Sequence, residues 1–95
     1  MAPLEHAEIE ERLANSAGWA LSEDGGSIER EWKFENFARA MEFVNAVGEV
    51  AEGANHHPDI LLHGWNHVRL TLSTHSQGGL TDADFQLAGE VDRLV

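Results

Sequence analysis

In the stretch EGANHHPDI two adjacent histidines, His56 and His57, stand against Pro58, and a third, His75, follows in THSQGGL. Gly, Asn, Asp and Pro are enough to turn a chain, so the paired imidazoles are surplus to turning. An imidazole gains and loses its proton near neutral pH, which suits it to give and take protons in an elimination or addition. Carboxylates at Glu52 and Asp84 are placed to set the tautomer of such rings. A second chemistry is a divalent ion collected by His57, Asp59 and His75, but that spacing matches no signature of the HExxH kind, so proton transfer ranks above metal. Backbone-satisfied turn histidines would account for any one of the three rings, but not for all of them together. His6, His63 and His67 read as structural, the first on the polar side of a helix and the other two flanking a hairpin turn. Trp32 reads as packing, and Trp19 as either core or a flat platform for a ring.

Periodicity supplies the elements that must carry these side chains. Leu4, Ala7, Ile9 and Leu13 fall at helical spacing among glutamates, predicting a short amphipathic helix to about Asn15, broken by Gly18. WALS and SIEREWKF flank EDGG, and Ile28, Trp32 and Phe34 alternate with Glu29, Glu31 and Lys33, predicting a hairpin. Asn36 caps a long helix whose stripe is Phe37, Ala40, Met41, Val44, Val47 and Ala51, widened by Phe43 and Val50 and ended by Gly53. Ile60 to Leu62, a turn at Gly64 and the alternation of Val68, Leu70 and Leu72 predict a second hairpin. His56 and His57 enter its first strand and His75 leaves its second, so antiparallel pairing draws them toward one pocket mouth. THSQGGL reads as a loop, and Thr81 with Asp82 and Asp84 starts a last helix carrying Phe85, Ala88, Val91 and Val95. The order α-β-β-α-β-β-α predicts an α+β two-layer fold, a four-stranded antiparallel sheet with three helices on one face.

The 95 residues make a single domain over 1–95, small enough for partner subunits to help it. No apolar run approaches the roughly 20 residues of a membrane span, and the acidic start does not resemble a signal peptide, so the expected location is the cytoplasm. Without cysteine there is no disulfide, thiolate nucleophile or zinc-thiolate site. Seventeen acidic against six basic side chains, a formal charge of −11, repel phosphate backbones and anionic lipid, which excludes nucleic acid as a direct partner.

Glu52, then His56, His57 and Pro58, then Trp65, His75 and Asp84, with GW at 18–19 and NHVRLTLSTHSQGGLTDADFQLA near the end, resemble the pterin-4a-carbinolamine dehydratases over almost the whole chain. The resemblance implies a lyase that dehydrates 4a-hydroxytetrahydrobiopterin, or a related 4a-hydroxytetrahydropterin, to quinonoid dihydropterin after an aromatic amino-acid hydroxylase has acted. It implies His56 and His75 as the acid/base pair, His57 mainly as a binding group, and Glu52 and Asp84 as groups orienting the rings. Pro58, Thr74, His75, Ser76 and Gln77 would hold the pterin, with Trp19 as a wall. The pterin is then the substrate, and neither a cofactor nor a metal is expected. The resemblance implies a homodimer or homotetramer, and some relatives double as a dimerisation cofactor of a transcription factor or assist assembly of RuBisCO. A non-catalytic interaction module is therefore the alternative expectation.

Overall fold

The computed structural model describes residues 3–95. In chain order it forms α1 (His6–Ala14), β1 (Ala20–Leu21), β2 (Ile28–Lys33), α2 (Phe37–Ala54), β3 (Asp59–His63), β4 (His67–Leu72), a 3-10 turn (His75–Gln77) and α3 (Asp82–Asp92). All neighbouring strands are antiparallel, in the order β1-β2-β4-β3, so β4 is central although it comes last. Its alternation is realised as read: Val68, Leu70 and Leu72 are buried, while His67, Arg69 and Thr71 face the other way. The buried row packs with Ile28, with Ala40, Phe43 and Val47 of α2, and with Leu87, Ala88 and Val91 of α3. Each fully buried Leu or Ile in such a core stabilises the fold by roughly 1.5–3 kcal/mol. The α+β two-layer reading holds.

Four details depart from the sequence reading. Phe37 and Met41, assigned to the buried stripe of α2, are 53% and 38% exposed. A helix advances about 100° per residue, which puts them roughly 80–120° round from the line through Phe43, Val47 and Ala51, beyond what one sheet face can cover. The helix also runs past Gly53 to Ala54, where Asn55 takes the left-handed conformation at φ 51° and His56 N–H reaches back to the Ala51 carbonyl. This close with a left-handed residue after the last helical one satisfies orphan carbonyls. The last helix stops at Asp92, leaving Val95 exposed. THSQGGL contains a 3-10 turn where a plain loop was expected.

The first hairpin is pinned by a polar knot. Arg30 donates to the Ala17 carbonyl at 3.0 Å and to Asp92 at 3.1 Å, while the Trp19 indole N–H bonds both oxygens of Asp92. The guanidinium lies 5.0 Å from the Trp32 ring centroid. Gly18 has φ +92°, and a Cβ there would sit 2.6 Å from Arg30 Cζ. Gly18→Ala is therefore expected to lower unfolding free energy by about 2 kcal/mol, through the left-handed strain and the displaced guanidinium. Urea unfolding of the two proteins side by side checks it; an unchanged midpoint would mean Arg30 moves freely.

Candidate active site

The end of α2 and the start of α3 together hold the first histidine. The turn after Ala54 sends His56 off the helix, and its Nε2 lies 2.6 Å from Asp84 Oδ1. Asp84 is the third residue of α3 and is fully buried. Its other oxygen accepts the Thr81 backbone N–H at 3.0 Å and the Thr74 hydroxyl at 2.7 Å, and the Thr74 and Thr81 hydroxyls are 2.9 Å apart. One carboxylate thus closes the first turn of α3 and orients an imidazole. Because the carboxylate accepts, the His56 proton resides on Nε2, leaving Nδ1 as the atom free to meet a ligand.

His57 makes a parallel pair in the open. Its Nε2 is 2.5 Å from Glu52 Oε2, one turn back on α2, and both side chains are mostly exposed. Glu52 thus meets His57, whereas Asp84 meets His56. Alternation of direction after the helix end is what separates the two rings, as expected for neighbours in extended chain.

His75 opens the 3-10 turn directly after Thr74, so it is one residue from the group that anchors Asp84. It lines a cavity of about 270 Å³ together with Asp24, Gly26, Ser27, Ser73, Gly78 and Gly79. The size is near the lower end of small-ligand pockets. Gly78, at φ +81°, lets the chain double back and donate to the His75 carbonyl at 3.0 Å. Ser73 donates to the Gly26 carbonyl at 2.7 Å, fastening the first hairpin loop over the end of β4.

Asp24 is the cavity residue that the sequence reading passed over as part of a solvated turn. Hydrogen bonds from the Gly26 N–H, then the Ser22 hydroxyl, hold its carboxyl below the usual carboxylate range. The EDGG turn was visible in the sequence; that it folds onto the far end of the central strand was not.

The remaining expected positions are spread around these groups. Pro58 is half-buried between His57 and β3, and Ser76 and Gln77 are exposed on the 3-10 turn. Trp19 is 6% exposed, edge-on to Trp32 at 5.7 Å, with its N–H on Asp92. Its ring packs in the core and does not line the cavity at His75. Trp65 is exposed at the tip of the β3–β4 turn. The three-residue ligand cluster among the described residues is Glu31, His63 and His67, not the His57, Asp59 and His75 set weighed from the sequence. No described helix is long and apolar enough to cross a membrane.

Comparison with known proteins gives a consistent result. The family model described as pterin 4 alpha carbinolamine dehydratase matches residues 2–94. A protein of Acidobacterium capsulatum, provisionally named a pterin-4-alpha-carbinolamine dehydratase, is 48% identical over 95 residues, all of both chains. One of Paracoccus denitrificans with the same provisional name is 46% identical over 85 residues, 90% of this chain and 78% of the other. The crystal structure of a transcriptional coactivator/pterin dehydratase from Brucella melitensis superposes with a TM-score of 0.91 at 32% identity, covering 97% of each chain. A pterin dehydratase-like protein described as a RuBisCO assembly factor of the alpha-carboxysome shares the fold, with a TM-score of 0.68 at 24% identity over 81% of this chain and 88% of that one.

Proposed function

The chain belongs to the pterin-4-alpha-carbinolamine dehydratase family, and on that premise we propose that it dehydrates a 4a-hydroxytetrahydropterin, such as 4a-hydroxytetrahydrobiopterin, to quinonoid dihydropterin and water. The observation that carries the reading is the 2.6 Å contact of His56 with a fully buried Asp84 that is also bonded to Thr74, the neighbour of His75. In the reaction the C4a–O bond breaks and the hydroxyl, having received a proton, leaves as water. The proton on N5 is lost, and its electron pair becomes the new C4a=N5 bond. One imidazole enters protonated and the other neutral; they leave with those roles exchanged, and solvent restores them.

His56 and His75 are assigned to the two proton transfers and His57 to binding. Asp84 and Glu52 are positioning residues that fix Nε2 of their rings so that Nδ1 faces the pterin. Thr74, Pro58, Ser76 and Gln77 supply hydrogen bonds and walls around it. Absorbance decay of freshly generated 4a-hydroxytetrahydropterin in a stopped-flow instrument tests the proposal. Acceleration by the protein is expected; a decay identical to the uncatalysed one overturns it.

A second reading, an interaction module, draws on the exposed Phe37 and Met41 of α2 and on the edge strand β3, where Ile60 and Leu61 are uncovered. Such an edge invites pairing, and we extend the proposal to a homodimer or homotetramer in solution that serves an aromatic amino-acid hydroxylase. Substitutions at Glu42 or Glu49 on α2 would then change partner capture and leave pterin turnover unchanged.

A further inference from the structure

The sheet face turned away from the helices carries a polar array set by strand register. Lys33, His67 and His63 stand in one row across β2, β4 and β3, and Glu31, Arg69 and Leu61 in the next. The Glu31 carboxylate reaches diagonally to both histidines: Oε1 is 3.0 Å from His63 Nε2, and Oε2 is 3.4 Å from His67 Nδ1. The two imidazoles stack with centroids 5.2 Å apart and 27° between planes. The turn that folds them together holds Gly64 at φ +56° and Trp65 at φ +61°, the second a conformation that costs an ordinary residue about 1–2 kcal/mol.

From this convergence we propose that Glu31, His63 and His67 form a binding site for a divalent transition-metal ion of the Zn2+ and Ni2+ class, separate from the pterin site. The three donor atoms all lie within 4.8 Å of one another. Ligands of a tetrahedral Zn2+ sit roughly 3.3 Å apart, as bond lengths of about 2.0–2.1 Å require. The side chains are 34%, 39% and 33% exposed, so rotation about their own bonds closes that difference without moving the strands. Two imidazole nitrogens and one carboxylate are the donor types that such ions prefer over Mg2+ or Ca2+. Three ligands leave at least one position open on the solvent side.

Arg69 is the local competitor. Its Nε bonds Glu31 Oε1 at 3.2 Å, so a bound ion must share or displace it, and Lys33 adds a second positive charge to the same face. Removing the guanidinium should therefore strengthen binding, a result that incidental surface histidines would not give.

The test uses the full chain and two probes. Ni2+ added well below one equivalent should broaden the side-chain NMR signals of His63 and His67 before those of His56, His57, His75 or His6. Zn2+ titrated calorimetrically should bind once per chain at this site. His63→Gln, His67→Gln and Glu31→Gln should each weaken that binding by about tenfold or more. Arg69→Gln should tighten it by about fivefold, the loss of one nearby like charge near the surface, and His57→Gln should leave it unchanged. All these side chains are partly exposed, so the variants keep the core. Parent affinity in both His63→Gln and His67→Gln would overturn the proposal, as would first broadening at His56, His57 or His75. Pterin turnover by the His63→Gln and His67→Gln variants is expected to match the parent, so loss of this site and loss of the dehydratase reading register separately.

Discussion

Alanine at His56 or at His75 is expected to lower the enzymatic dehydration rate by about 100-fold or more, with His57→Ala costing less. Positioned general acid/base groups contribute on the order of 10²–10⁴ in rate, and the two rings differ from His57 in where they sit. His56 is mostly buried and its Nε2 is fixed by a carboxylate that water does not reach. His75 lines the cavity. His57 and Glu52 are both exposed, so their pair is diluted by solvent, as surface pairs are. His56→Ala also removes a donor from buried Asp84, which alone costs about 1–3 kcal/mol. His56→Gln is the cleaner variant: its amide N–H can still bond Asp84, but it cannot carry a proton at neutral pH. Stopped-flow traces of His56→Gln and His75→Ala, with thermal unfolding to show that both remain folded, are the measurement. Parent-like turnover in both would remove these residues from the mechanism while leaving the family assignment intact.

Asp84→Ala is expected to be the most destabilising single polar change in the chain, at about 3 kcal/mol or more, because several donors lose one acceptor together. Thr81 N–H, the Thr74 hydroxyl and His56 all converge on this side chain. For a domain of this size that corresponds to a fall in Tm of about 12 °C or more. Asp84→Asn keeps an acceptor for the Thr81 N–H and should cost less stability, yet it no longer holds the proton of His56 on Nε2. Nitrogen chemical shifts of the His56 ring should then report a changed tautomer mixture, and turnover should fall although the protein stays folded. If Asp84→Asn left the ring shifts unchanged, Asp84 would be a helix cap only.

The layered fold was legible because the sequence signals agreed with one another. Alternation over Val68 to Leu72 placed a strand face, and Asn36 announced α2 as a cap whose side chain accepts the Arg39 N–H. Glu52, Asp84 and the three histidines could be named as a group because types and spacing point to proton chemistry. Which carboxylate serves which ring was not legible, since that depends on how the end of α2 meets the start of α3. Period alone shows that α2 has a broad apolar stripe; only packing shows that Phe37 and Met41 lie outside it. His63 and His67 look like turn residues until register sets Glu31 one row away. Sequence patterns are local, whereas these three findings depend on contacts between distant segments.

Asp92 bears on the chain's lifetime as well as its shape. Its bonds to Trp19 and Arg30 span 73 and 62 residues of sequence, so they close a ring around most of the molecule. Non-local closures of this kind slow the approach to the folded state, and interactions that complete only after the barrier act chiefly on escape from it. If these bonds complete only after the barrier, the last turn of α3 is a latch on the first hairpin, and Asp92→Ala should raise the unfolding rate read from a denaturant chevron while leaving the folding rate near that of the parent.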